Sequence, residues 1–321
     1  MGKTSIQWTD STWNPVRGCT RKSPRCVNCY AEIMAARFSK PGMWGHGFAT
    51  MKDGDHRWTG RVELIPDMLT LPLHWKKPRR IFVNSTSDLF HEALSDDALD
   101  EVHAVMAACG RHTFQVLTKR PERMAPYYAG RYRAQRTKDA ARRFGYALEF
   151  EGISMLPQVL PNLWLGASVE DQERADERIP LLKLTPAAVR FLSVEPLLEE
   201  VELGDLTGIH QVIVGGESGP GARPFYAGWA RKIVKRCEGQ GVACFVKQMG
   251  SHVRDRNDAG FEGADDSNLT EWPPLDFDKI EHEPDGFSEE YQGAPVRLHL
   301  KARKGDDPAE WPADLRVRQS P

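Results

Sequence analysis

Six short runs of β-branched and aromatic residues recur through the chain, each closing on small or polar residues. They are IFVNSTSD (81–88), TFQVLTKR (113–120), NLWLGASVE (162–170), VRFLSVEP (189–196), HQVIVGGESG (210–219) and VACFVKQMG (242–250). Apolar runs of this length, bounded by turn residues, predict strands buried on both faces. Between them lie helical patterns. The segment from Ser95 to Gly110 opens on a capping serine followed by acids, groups Leu99, Val102, Val105, Met106 and Cys109 on one face, and stops at glycine. The segment from Ala227 to Gly241 groups Ile233, Val234 and Cys237 in the same way. Alternation of strand and helix predicts an α/β protein of parallel strands with crossover helices, as an open doubly wound sheet or a barrel. With a first strand near Ile6 to Trp13, the pattern fits a complete or partial (β/α) TIM-type barrel of about six to seven parallel strands. Residues 1–250 form this domain. Residues 251–321 break the rhythm and predict an acidic, loop-rich C-terminal extension on or beside the barrel, whose WPADLRVRQSP end docks back onto the body.

In a barrel, the residues at the carboxyl ends of the strands converge on one mouth. Here those ends carry Asn84 to Asp88, Thr118 to Arg120, Ser168 and Glu170, Ser193 and Glu195, Gly215 to Ser218, and Lys247 with Gln248. A polar end on every strand predicts a functional mouth.

Composition bounds the class. Apolar residues make up 40% of the 321 and charged residues 27%, as in an ordinary globular protein, and no run approaches the ~20 apolar residues of a membrane span. The opening MGKTSIQWTDSTW lacks the apolar core of a signal peptide, so a cytoplasmic location is expected, with no membrane partner. The net charge of −2 conceals an asymmetry: residues 1–150 carry 24 Lys+Arg against 15 Asp+Glu, and residues 151–321 carry 19 against 30. The basic half permits a polyanionic partner. Its densest run, RYRAQRTKDAARRF (131–144), reads equally as a polar surface helix or a nucleic-acid contact.

The cysteines carry the most specific chemistry. Cys109, Cys237 and Cys244 sit in apolar contexts as expected core residues, with Cys244 alternatively a radical-quenching thiol. Cys19, Cys26 and Cys29 crowd into a C-x6-C-x2-C run followed by Tyr30 and a helical AEIMAARF. Three such thiolates suit a zinc site completed by a distant ligand such as His46, or an iron–sulfur cluster with one iron left open. A barrel mouth favours the second use. A [4Fe-4S] cluster with one iron free of protein ligands can chelate S-adenosylmethionine and yield a 5′-deoxyadenosyl radical, and a barrel can shield it.

The blocks IQWTDSTWNPVRGCTRKSPRCVNCYAE, FVNSTSDLFHE, LTKRPERM, LWLGASVE, FLSVEPLL, VIVGGESGPGARP, FVKQMG and the closing KGDDPAEWPADLRVR resemble the phage-encoded three-cysteine-motif protein family. That family is a distant relative of the radical SAM superfamily. The resemblance implies a [4Fe-4S] cluster on Cys19, Cys26 and Cys29, S-adenosyl-L-methionine as cofactor, an electron donor, a small three-Cys-motif partner protein, and a nucleotide or nucleic acid as substrate. Two departures matter. The superfamily spacing is C-x3-C-x2-C, so three extra residues stand here before Cys26, and the superfamily's second-strand Gly-Gly-Glu stands here near the sixth strand. The second-strand position is held instead by Ser85 to Asp88, similar to the corresponding segment of spore photoproduct lyases. Ser87 and Asp88 are therefore assigned to the methionine amino group, and Gly215, Gly216, Glu217, Lys247 and Gln248 to the substrate side. Lys119 or Arg120 would neutralise the methionine carboxylate, while Ser168 and Glu170 or Glu195 would accept from ribose hydroxyls. Strand-end Ser and Glu also cap helices and close turns. No single catalytic residue is assigned, and lyase and transferase chemistry both stay open. The alternative function is a zinc-stabilised nucleic-acid-binding or phage-defence accessory protein without turnover.

Overall fold

The computed structural model describes residues 4, 6–52, 54–145, 159–255, 296–298, 300–302 and 304–321. Seven parallel strands form one sheet: β1 (Ser11–Trp13), β2 (Arg80–Val83), β3 (Thr113–Thr118), β4 (Leu163–Ser168), β5 (Val189–Val194), β6 (Gln211–Gly215) and β7 (Ala243–Gln248). Each strand pairs with the next in chain order, so the sheet curls as a partial barrel with β1 and β7 at its edges. The first strand is shorter than the run from Ile6 suggests, because the chain at Trp8 turns inward rather than pairing. Trp8 joins Phe82, Phe191, Ile213 and Phe245 in an apolar cluster on the inner face.

The alternation of the strands explains both faces. Ile81 and Val83, Phe114 and Val116, Leu163 and Leu165, Val212 and Val214 all face outward into the main core shared with the helices. Gly166 faces the lumen, where a Cβ would lie 2.5 Å from the Phe191 ring; only glycine lets that ring fill the inside.

The surrounding helices are α1 (Tyr30–Arg37), α2 (Asp96–Ala108), α3 (Pro121–Ala129), α4 (Arg133–Arg143), α5 (Gln172–Leu184) and α6 (Ala227–Gly239). Ser95 caps α2 as expected, accepting from the Ala98 N–H at 3.2 Å. The basic run forms α4, and its arginines are engaged locally. Arg136 bonds Asp100 at 2.6 Å, Arg143 bonds Glu101 at 3.2 Å, and Arg133 is buried over the Tyr128 ring. Both of those acids belong to α2, so the helix presents a packed, ion-paired surface.

The chain end docks as expected. Val317 and Gln319 extend the sheet beyond β7 through Val246 N–H to Val317 O at 2.9 Å and Gln319 N–H to Cys244 O at 2.8 Å, and Trp311 and Leu315 are buried in the main core. Most of the acidic extension, residues 256–295, lies outside the described residues, and so does its expected loop-rich character. Among the described residues no helix is long and apolar enough to cross a membrane.

Candidate functional site

A cavity opens at the carboxyl ends of the strands, lined by Cys19, Cys26 and Cys29 and by residues from six of the seven strand ends. These are Asn84 to Asp88 after β2, Thr118 to Arg120 at β3, Ser168 at β4, Glu195 after β5, Gly216 to Ser218 after β6, and Gln248 at β7. The cysteine loop enters through Gly18, whose φ of +83° suits glycine and whose Cβ would lie 1.9 Å from the Arg61 carbonyl oxygen. A short 3-10 turn, Pro24–Asn28, presents Cys26, and Cys29 precedes the first turn of α1.

Side chains from distant strand ends pin this loop. Arg120 donates to Thr20 O at 3.2 Å and Thr20 Oγ1 at 2.9 Å. Asn28 donates to Glu217 at 2.9 Å, and Arg223 donates to Pro24 O at 3.0 Å. The longer first interval of the cysteine run thus contains the turn that Arg223 holds.

The electrostatics divide the thiols. Burial, and then the Asp88 carboxylate, push the Cys19 thiol up to about 12, partly offset by Arg120 and Lys119. Arg120 Nη1 lies 4.0 Å from Cys19 Sγ. Burial also acts upward on Cys26, but Lys119, the Lys22 and Ser23 N–H groups and Arg25 outweigh it, so Cys26 sits below its ordinary value and favours thiolate. Among the described residues Lys119 and Arg25 have no carboxylate partner; Arg25 reaches only Ser168 Oγ, at 3.4 Å. The cavity therefore combines thiols with two cations available to an anion.

All six cysteines are free thiols. Among the described residues no group of three or more His, Cys, Asp or Glu is drawn together for a metal ion. Tetrahedral zinc at 2.3 Å from sulfur needs its thiolates about 3.8 Å apart, whereas a cube-type cluster is larger and holds them wider. Cys19, Cys26 and Cys29 line one cavity as free thiols, the donor type that both groups use. His46 is exposed and is not among the cavity residues.

The other site expectations separate into several fates. Asp88 lines the cavity, but its buried oxygens are engaged. They accept from Thr118 Oγ1 at 2.7 Å, Phe90 N–H at 3.0 Å, Lys119 N–H at 3.0 Å and Arg120 Nη1 at 3.1 Å. Burial alone would raise Asp88; Arg120 and these donors hold it below the usual carboxylate range. Ser87 donates to Val16 O at 2.9 Å. Glu170 lies off the cavity, wholly buried in an ion pair with Arg178 of α5 at 3.2 Å. Glu195 pairs with Lys247, which faces the lumen rather than the cysteines.

The Gly-Gly-Glu segment braces the loop. Gly216 N–H donates to Gln248 O at 2.9 Å, Gln248 Nε2 returns a bond to Gly216 O at 2.8 Å, and a Cβ on Gly216 would meet Met249 O at 2.1 Å. Gly215 is not among the cavity residues. Glu217 accepts from Arg223 at 2.6 and 2.9 Å; burial opposes, but Arg223 and Asn28 keep it below its ordinary range. Cys244 is buried on the outer face of β7, where hydrogen bonding with Cys237 of α6, then burial, raises its thiol; this is the core reading of that residue.

Thr20, Arg25, Asn28 and Arg223 were not legible as site residues from strand-end position, whereas Asn84 and Ser85 belong to the β2 end that the pattern picked out. Arg25 and Asn28 sit inside the cysteine run, so their sequence proximity was a usable signal. Asn84 takes a positive φ of 58° and accepts from Val16 N–H through Oδ1 at 3.3 Å.

Comparison with curated proteins and with solved structures found no match. The family model described as "Protein of unknown function (DUF5131)" matches residues 3–304, a span that includes every residue lining the cavity, and the chain belongs to that family.

Proposed function

We propose that this chain is an iron–sulfur enzyme of the radical SAM type, akin to the phage three-cysteine proteins it resembles, using S-adenosylmethionine and acting on a nucleotide or nucleic acid. One observation carries the reading: three free thiols from a single loop share a cavity with six parallel strand ends and with Lys119 and Arg25, which have no carboxylate partner among the described residues. Cys19, Cys26 and Cys29 would hold the [4Fe-4S] cluster, which when bound supplies the electron that cleaves the sulfonium of the cofactor.

The chain's own residues bind, orient and exclude water. Lys119 offers an ammonium to the methionine carboxylate, and Arg120 is committed to Asp88, Glu92 and Thr20. Asp88 accordingly acts by positioning Arg120 and the Cys19 loop, a different role from the amino-group contact that the resemblance implies. Ser168 remains on the cavity wall for ribose hydroxyls, Glu195 lines that wall while paired with Lys247, and Glu170 lies off it. Phe82 and Leu117 close the apolar side against water.

Anaerobic purification and reconstitution with iron and sulfide tests the reading. It predicts a broad visible band, a reduced-state EPR signal that changes on adding S-adenosylmethionine, and formation of 5′-deoxyadenosine. A colourless protein with one tightly held zinc per chain overturns it and leaves the non-catalytic binding module.

A further inference from the structure

Beside the cysteine cavity the partial barrel forms a second, half-open cavity of about 340 Å³. It shares Arg25, Tyr30, Phe82, Ser85, Leu117 and Glu195 with the first, so the two adjoin. A molecule in the lumen would rest against whatever the thiols hold. The volume lies within the range of small-molecule sites, enough for one nucleotide-sized ligand.

Its lining is divided by chemistry. Trp8 and Phe82, with ring centroids 4.7 Å apart, present an aromatic wall. Opposite in character are Glu195 and Lys247, an ion pair, and Ser193 also lines the cavity. Arg25, with no acidic partner among the described residues, stands where the two cavities meet. An apolar guest would leave the paired carboxylate and ammonium facing carbon, and a neutral or cationic guest would leave Arg25 unanswered. A planar heterocycle with donors and acceptors on its edge and an anionic group at one end satisfies all three features.

We propose that this lumen is a nucleotide site: the base lies along Trp8 and Phe82, Glu195 and Lys247 read its polar edge, and Arg25 takes the phosphate. The proposal deepens the function given above and rests on it only for the chemistry that follows binding. The same chemistry serves a free nucleotide or one nucleotide of a strand, whose base would have to leave its stack to enter.

Equilibrium dialysis with the full-length reconstituted protein tests the site, using the common 5′-monophosphates, the matching nucleosides and a short single-stranded oligonucleotide. At least one phosphorylated probe binds, and its phosphate-free counterpart binds at least about tenfold more weakly, as expected for loss of a charge-assisted contact. Arg25→Met erases that difference, Arg25→Lys keeps part of it, and Glu195→Gln changes the ranking of bases, each in protein whose thermal melt matches the parent. Binding of the oligonucleotide with little binding of monophosphates assigns the strand as the source; the converse assigns the free nucleotide. No binding by any probe, or native binding by both Arg25→Met and Glu195→Gln, overturns the site. Cluster formation and cofactor cleavage without nucleotide binding would sink this inference alone, whereas nucleotide binding by protein that never acquires a cluster would sink the radical reading alone.

Discussion

Arg120→Met removes the cation on which the β2 and β3 strand ends and the cysteine loop converge. The Arg120 and Asp88 side chains are 2% and 7% exposed and lie 3.1 Å apart. Methionine preserves much of the volume, so the main loss is electrostatic: Asp88 keeps its hydrogen bonds from Thr118 and Lys119 but loses its counter-charge. Breaking a buried pair by removing one partner costs about 3–5 kcal/mol, and for a chain of this size that corresponds to a melting temperature lower by roughly 4–7 °C. The pH dependence gives the sharper test. In the parent, Asp88 is held below its ordinary range, so its stabilisation is complete above the unfolded-state value and fades as pH falls through the depressed folded value. Without Arg120, burial, already the largest single influence on Asp88, loses its main opponent and the carboxyl rises, so the variant is most destabilised near neutrality and recovers relative to the parent as acid protonates it. Differential scanning calorimetry across pH 4–8, on Arg120→Met and on Asp88→Asn/Arg120→Met, measures this. The double variant should regain more than half of the loss, since no buried charge remains uncompensated. A single variant that melts within 2 °C of the parent, or a double variant whose losses simply add, would refute the electrostatic account of this junction.

Three further outcomes are expected. Cys26→Ala should abolish iron incorporation on anaerobic reconstitution, while Cys237→Ala, on the outer core, should leave the iron content unchanged and lower only stability; elemental analysis separates them. Arg223→Met frees Glu217 and the Pro24 carbonyl together, so the cysteine turn should loosen: stability falls by about 1–3 kcal/mol, and reconstituted iron is lost faster to a chelator than in the parent. Gly166→Ala places a methyl group against the Phe191 ring and should cost about 1–3 kcal/mol by chemical denaturation, with the thiols still titrating as free.

Local pattern made much of the architecture readable. The six apolar runs became β2 to β7 because a strand covered on both faces must be apolar throughout, and that demand is written into consecutive residues. Ser95 and the glycine ending of α2 were legible for the same reason: a cap acts within one turn. The first strand was overextended because nothing local tells that Trp8 turns into the lumen; only the rings of Phe82 and Phe191, supplied by distant strands, make that position favourable.

The candidate site divides along the same line. Residue type and spacing singled out Cys19, Cys26 and Cys29, and strand-end position selected the side chains that meet around them, because parallel strands bring their carboxyl ends to one side. The use of each side chain depended on partners far away in the chain. Asp88 and Glu217 read as ligand groups until Arg120 and Arg223 are seen to occupy them, and Glu170 read as a mouth residue until Arg178 draws it under α5. Sequence alone determined the strand rhythm, the cysteine loop and the polar strand ends, since these depend on a residue and its near neighbours. Tertiary structure alone decided which polar groups are satisfied by protein and which, as with Lys119 and Arg25, meet no carboxylate among the described residues, since a charge is answered by whatever folding brings within a few ångströms of it.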